Sequence, residues 1–199
     1  MKKGIPYAVG NFEEVRNGNY YYVDKTSFIE KLETYKVPVF LRPRRFGKTL
    51  WCSHLECYYD INRKDSFEEL FGDLYIGKNP TTLRNSFLVL RLNFSEVEVK
   101  PNLLSLERNF NEIFYMAVKL FLAKNRMFFH DRMNIAPDRP AAVQLKSVLN
   151  FIQENQLPPL YLVIDEYDNF TNQLITSHND RLYYELTSKE SASASGDSF

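Results

Sequence analysis

The chain has 199 residues, enough for one domain with a sizeable core. Hydrophobic residues make up 44%, and 25 Lys+Arg balance 25 Asp+Glu, for a formal net charge of +0. Overall charge therefore gives no argument for nucleic-acid or membrane partners, and any anion site has to be local.

No N-terminal apolar run reads as a signal peptide, and no span of about 18 apolar residues reads as a membrane helix. Cys52 and Cys57 are the only cysteines, with no second Cys/His cluster to complete a zinc site. They read as small buried thiols in a reducing compartment, so the expected location is cytoplasmic.

Residues 1–19 carry Gly4, Pro6, Gly10 and Gly18 and read as an irregular lead-in. Tyr20-Tyr21-Tyr22-Val23 is short and β-prone. Asp24 is placed to cap a helix in which Phe28, Ile29 and Leu32 recur at helical spacing as far as Tyr35. Residues 37–50, VPVFLRPRRFGKTL, then read as a short apolar strand (Val37, Val39, Phe40, Leu41), a basic turn and a helix opened by Gly47-Lys48-Thr49. Four cations fall within the seven positions from Arg42 to Lys48. That layout suits an anion: backbone N–H groups and a helix N-terminus converge, a lysine adds a point charge, and a hydroxyl can hold Mg²⁺. The full pattern is G-x-x-x-x-G-K-[ST], and here its leading glycine is Arg42.

The helix continues through Leu50, Trp51, His54, Leu55, Tyr58 and Ile61, with His54 read as a packed or hydrogen-bonded histidine rather than a ligand. Residues 64–71 read as another short helix, and Gly72 and Gly77-Lys78-Asn79-Pro80 as turns. Residues 87–94, FLVLRLNF, read as a strand covered on both faces, with Asn93 and Ser95 at its polar end. Residues 103–126 read as a long amphipathic helix and residues 138–155 as a second, with Pro140 near its first turn. Residues 160–165, LYLVID, form an apolar strand that ends in Asp165 and Glu166, with Asp168 and Asn169 beyond. A helix is expected over 178–190, followed by a low-complexity polar tail at 191–199.

The two motifs gain weight as a pair. A strand, turn and helix carrying Gly-Lys-Thr comes first, and a strand tipped by Asp-Glu follows more than a hundred residues later. Helices and strands alternate between them, as an α/β sheet requires, and both lie at strand carboxyl ends, where such sheets bind ligands. Nucleotide binding is the expectation from this pairing.

The string Arg42-Pro43-Arg44-Arg45-Phe46-Gly47-Lys48-Thr49 resembles the modified Walker A of the bacterial AAA-ATPase-like family, in which an arginine- and proline-rich turn replaces the first glycine. Gly4-Ile5-Pro6-Tyr7, Tyr21-Tyr22-Val23-Asp24-Lys25-Thr26, Leu55-Glu56-Cys57-Tyr58-Tyr59-Asp60, Phe71-Gly72-Asp73-Leu74-Tyr75-Ile76-Gly77 and Val163-Ile164-Asp165-Glu166-Tyr167-Asp168 are similar as well. The resemblance implies a P-loop NTPase three-layer α/β sandwich with a mostly parallel sheet. Residues 1–190 would be the ATPase-like domain (1–35 lead-in, 36–190 nucleotide-binding core), and 191–199 the tail. It implies ATP and Mg²⁺ as cofactors. Arg44, Arg45, Phe46, Gly47, Lys48, Thr49 and Leu50 would hold the nucleotide, and Thr49 and Asp165 the metal. Lys48 and Glu166 would be catalytic, Lys48 on the β- and γ-phosphates and Glu166 on the attacking water.

ATPases of this kind place a further, sensor-bearing strand after the acidic one, and residues 167–199 hold no candidate for it. The sheet is therefore expected to be incomplete at its C-terminal end, as in a truncated product. The alternative function is a catalytically weak or inactive nucleotide-binding module of a nucleic-acid-processing system, with a homo-oligomer or protein partner. Longer members of the family commonly carry a restriction-type nuclease domain. Direct nucleic-acid binding through Arg42, Arg44 and Arg45 is a third reading, opposed by the zero net charge.

Overall fold

The computed structural model describes residues 3–41, 43, 45–97, 103–130 and 132–167. Arg42, Arg44, Asp168, Asn169, the helix expected over 178–190 and the 191–199 tail lie outside them.

The lead-in contains helix α1 (Phe12–Asn17), capped by the Asn11 side chain, which accepts from Glu14 N–H at 3.1 Å. Tyr20 makes one parallel bridge to Gly4 rather than opening a strand. Helix α2 (Phe28–Leu32) is shorter than its periodicity predicts. Asp24 does not cap it. One Asp24 oxygen accepts from Thr26 N–H and the other from Tyr75 N–H, each at 2.8 Å, which ties the lead-in to a later turn. Although burial works against the charge, these amides hold the carboxyl below its ordinary range.

Helix α3 (Lys48–Tyr59) follows the basic turn. Helix α4 (Phe67–Phe71) begins three residues later than the pattern suggests, and Gly77 and Lys78, expected in a turn, close helix α5 (Tyr75–Lys78). Strand β1 (Leu88–Asn93) leads to helix α6 (Leu103–Lys124), the short helix α7 (Arg126–Phe129), helix α8 (Ala141–Glu154) and strand β2 (Leu160–Asp165). Pro140 is the N-cap of α8, next to its first turn.

β1 and β2 pair in parallel, from Leu88 opposite Leu160 to Asn93 opposite Asp165. Parallel neighbours need a crossover, and α6 to α8 supply it as a βαβ unit. The period-2 alternation of β1 sends Leu88, Leu90 and Leu92 into one core with Phe114, Val118 and Phe121 of α6 and Val148 and Ile152 of α8. Val89 of β1 and Val163 of β2 face the other core, with Phe12, Leu55, Tyr58, Tyr59 and Phe71. Helices thus cover both faces of a small parallel sheet, which is compatible with the expected α/β class.

The strand expected over residues 37–41 is the main departure. Among the described residues the sheet has two strands, and residues 36–41 are in neither. Val37 is 85% exposed and Leu41 72%. Pro38 gives a physical reason: it has no N–H to donate, so it interrupts the ladder of any interior strand. The apolar run was visible; the proline within it weighed more. No helix among the described residues is long and apolar enough to cross a membrane.

Candidate functional site

The basic turn reaches α3 through two left-handed residues, Arg45 (φ 67°) and Gly47 (φ 76°). A Cβ at Gly47 would meet nothing within 4 Å, so the glycine answers a conformational need rather than a steric one. Gly47 is the N-cap of α3, and its carbonyl accepts from Trp51 N–H at 2.9 Å. Arg45 is exposed, Phe46 is 68% exposed, and Lys48, Thr49 and Leu50 are half-buried. Leu50 packs against the core shared by α1, α3 and α4. α3 therefore presents the first-turn amides of a 12-residue helix at the turn.

The lead-in seats this helix. Ser53 Oγ on α3 accepts from Phe12 N–H at 2.9 Å, and Gly10 lies against the Thr49 side chain. An N-terminal segment beside the turn accords with the order of elements in the sequence.

At the tip of β2, Asp165 is 2% exposed and Glu166 is half-buried with a left-handed backbone (φ 56°). Such a backbone costs a non-glycine residue on the order of 1 kcal/mol or more and turns the chain sharply out of the strand. Asp165 shares its face with Tyr161 and Val163, toward α3. Cys52 of α3 lies near it; burial first, then the Asp165 charge, pushes that thiol up to about 11. Burial likewise raises Cys57 to about 12, so neither cysteine is a thiolate near neutrality.

The two halves of the site meet at Arg91 on β1. Its Nη2 donates to Asp165 Oδ2 at 2.9 Å and to the Thr49 carbonyl at 3.4 Å, and its Nη1 lies 3.7 Å from Glu56 Oε2. One guanidinium thus joins the first turn of α3 to the strand tip. The charges continue outward: Lys124 of α6 lies 2.9 Å from Glu56 Oε1 and 2.6 Å from Asp60 Oδ2. A cavity of about 690 Å³ runs from the end of α2 along β2 and includes Phe40, Lys48, Trp51, Cys52, Asp165 and Glu166 in its wall. Its wall is mostly apolar, with Glu33 and Lys36 by the end of α2 and Lys48, Asp165 and Glu166 also in it.

Sequence reasoning singled out Lys48, Thr49, Asp165 and Glu166 but not Arg91 or Gly10, which the structure places beside Asp165 and Thr49. Arg91 had a signal, being the one charged residue inside FLVLRLNF. Asn93, a candidate crevice residue, stands opposite Asp165 in register, but its side chain is used locally, accepting from Ser95 N–H at 3.0 Å. His54 is packed, not ligating: its ring is buried among Phe12, Tyr22, Trp51 and Phe71.

A buried carboxylate and a threonine hydroxyl are hard oxygen donors, the chemistry Mg²⁺ takes. The described residues contain no cluster of three or more metal-ligating side chains. Mg²⁺ at a nucleotide site does not require one, since substrate phosphates and water complete its shell. The donor set fits the ion.

No curated protein and no solved structure matches the chain. The family model described as predicted AAA-ATPase matches residues 6–191, which suggests nucleotide use and spans both the Gly-Lys-Thr turn and the Asp-Glu strand tip. By that match the chain belongs to the AAA-ATPase-like family.

Proposed function

We propose that residues 1–190 form a P-loop domain that binds ATP with Mg²⁺ and hydrolyses it as a conformational-switch ATPase. The observation that carries the reading is the junction at Arg91, where one guanidinium nitrogen touches both the Thr49 carbonyl and Asp165. The choice of ATP over other nucleotides rests on the family.

Lys48 sets its ammonium on the β- and γ-phosphates, and the first-turn amides of α3 receive phosphate oxygens. Arg45, Phe46, Gly47 and Leu50 shape the cradle, and Arg44 is assigned to it from the motif alone. Thr49 and Asp165 are the residues that would hold Mg²⁺, which supplies neutralisation of the phosphate charge. Glu166 takes the proton of the attacking water as general base, one position beyond Asp165 at the strand tip. The free thiols Cys52 and Cys57 accord with a cytoplasmic setting.

The alternative module, which binds nucleotide without productive hydrolysis, draws support from one feature. Asp165, itself buried, already has a half-buried cationic partner in Arg91. A multiple-turnover phosphate-release assay separates the two: Mg²⁺-dependent release supports the enzyme, and binding with no release supports the module.

Calorimetry with Mg²⁺–ATP on the wild type and Lys48→Ala tests the site. The variant is expected to bind about 100-fold more weakly, as loss of a charge-assisted phosphate contact requires. Equal affinity for the two proteins would sink the assignment.

A further inference from the structure

Arg91 is the one charge on a strand whose neighbours are buried apolar side chains, yet its fork spans two carboxylates on different elements. Asp165 on β2 receives the close contact, at 2.9 Å. Glu56 on α3 waits at 3.7 Å, with Lys124 already on its other oxygen at 2.9 Å. Asp165 is nearly fully buried, whereas Glu56 is a quarter exposed. A buried carboxylate without a partner is costly, so a cation belongs on Asp165 whenever no metal does. Two cations cannot share that oxygen at close range without repulsion.

We propose that Arg91 is a positioning residue that occupies the Asp165 carboxylate in the nucleotide-free chain and shifts onto Glu56 when Mg²⁺–nucleotide is bound. The inference rests on the nucleotide reading above. It gives Arg91 two tasks. In the empty site it keeps Asp165 paired, oriented and tied to the Thr49 carbonyl. In the loaded site it releases Asp165, closes on Glu56 and draws on the Glu56–Lys124–Asp60 chain of charges that runs to α6. The first turn of α3, which Arg91 grips through Thr49, is thereby coupled to the crossover helix.

The test is the Mg²⁺ dependence of binding rather than turnover. Calorimetry with the β,γ-imido analogue of ATP, in EDTA and in saturating Mg²⁺, gives the ratio of the two affinities for each protein. Arg91→Met removes the competing cation and is expected to raise the Mg²⁺ enhancement about tenfold over wild type. Arg91→Lys keeps a charge without the fork and should stay within about threefold of wild type. Glu56→Gln removes the receiving carboxylate and should lower the enhancement. Thermal melts should show Arg91→Met less stable when empty and more strongly stabilised by Mg²⁺–nucleotide than wild type. An unchanged or reduced enhancement in Arg91→Met, with the wild type binding the analogue, overturns the proposal and leaves the site reading standing. If Arg91→Met does not fold, an Arg91→Lys enhancement more than about threefold below that of wild type overturns it instead. Failure of the wild type to bind the analogue in either condition removes the site reading, and this inference falls with it.

Discussion

Gly10 and Thr49 touch across the junction of the lead-in and α3: a Cβ on Gly10 would lie 3.0 Å from Thr49 Cγ2. A methyl at that distance forces its neighbour to give. The neighbour here is the hydroxyl residue proposed to hold Mg²⁺. Gly10→Val is expected to weaken Mg²⁺–ATP binding by about tenfold while changing binding in EDTA much less. Paired calorimetry measures both. An equal loss in the two conditions would mean that the substitution disturbs the cradle as a whole.

Glu166, proposed as the general base, allows binding to be tested apart from chemistry. Glu166→Gln keeps the size and polarity of the side chain and removes the proposed base. Hydrolysis should fall on the order of 100-fold or more, with nucleotide affinity unchanged. Trp51, the single tryptophan of the chain, lines the same cavity as Lys48 and Glu166, so its emission reports binding without a label. Turnover by the variant at the wild-type rate would remove Glu166 from its role.

His54 makes stability depend on pH. Neither ring nitrogen has a hydrogen-bond partner, and the ring is 1% exposed. Burial, only partly offset by Asp24, lowers its pKa from 6.5 to about 3. The folded chain thus holds His54 neutral, while the unfolded chain protonates it below pH 6.5. Its contribution is full above that pH and is lost as pH falls toward 3. At pH 5 the loss is about 2 kcal/mol. His54→Phe should flatten the denaturant-midpoint profile between pH 7 and pH 5, and an unaltered slope would refute the assignment.

Lys124 neutralises a pair of acids at the edge of the second core. Asp60 is fully buried; one of its oxygens accepts from the Asn62 amide and side chain, each at 2.9 Å, and the other lies beside Lys124. Although burial works against the charge, Glu56 first and then Asp60 hold the Lys124 ammonium above its ordinary pKa. Lys124→Met strands a buried carboxylate and should cost about 3 kcal/mol in urea unfolding. The double variant Lys124→Met/Asp60→Asn should recover part of that loss.

The elements that could be read from the sequence are those set by local pattern. β1 and β2 are near-continuous apolar runs, and α6 and α8 carry apolar residues at helical steps, so each forms close to its expected bounds. The site residues on turns, Lys48 and Thr49 at one and Asp165 and Glu166 at the other, followed from motif chemistry. What stayed hidden depends on partners far along the chain. Arg91 and Asp165 are 74 residues apart, and no periodicity relates them. Gly10 looked like one of several lead-in glycines until Thr49 was beside it. Residues 37–41 show the reverse error, a favourable composition in a segment whose ladder Pro38 interrupts.

The sheet register also sets an order of events during synthesis. Phe12, Ile29, Leu55, Tyr58, Phe71 and Ile76 of the first core all precede residue 77, so most of the packing that seats α3 is available early. Asp165 arrives only after β1 and the whole crossover have been made, and its pairing with β1 is a long-range contact that closes late. A growing polypeptide therefore acquires the Gly-Lys-Thr turn and the packing that seats it well before Asp165, so until β2 is made Glu56 is the only one of the two carboxylates within reach of Arg91 that has been synthesised.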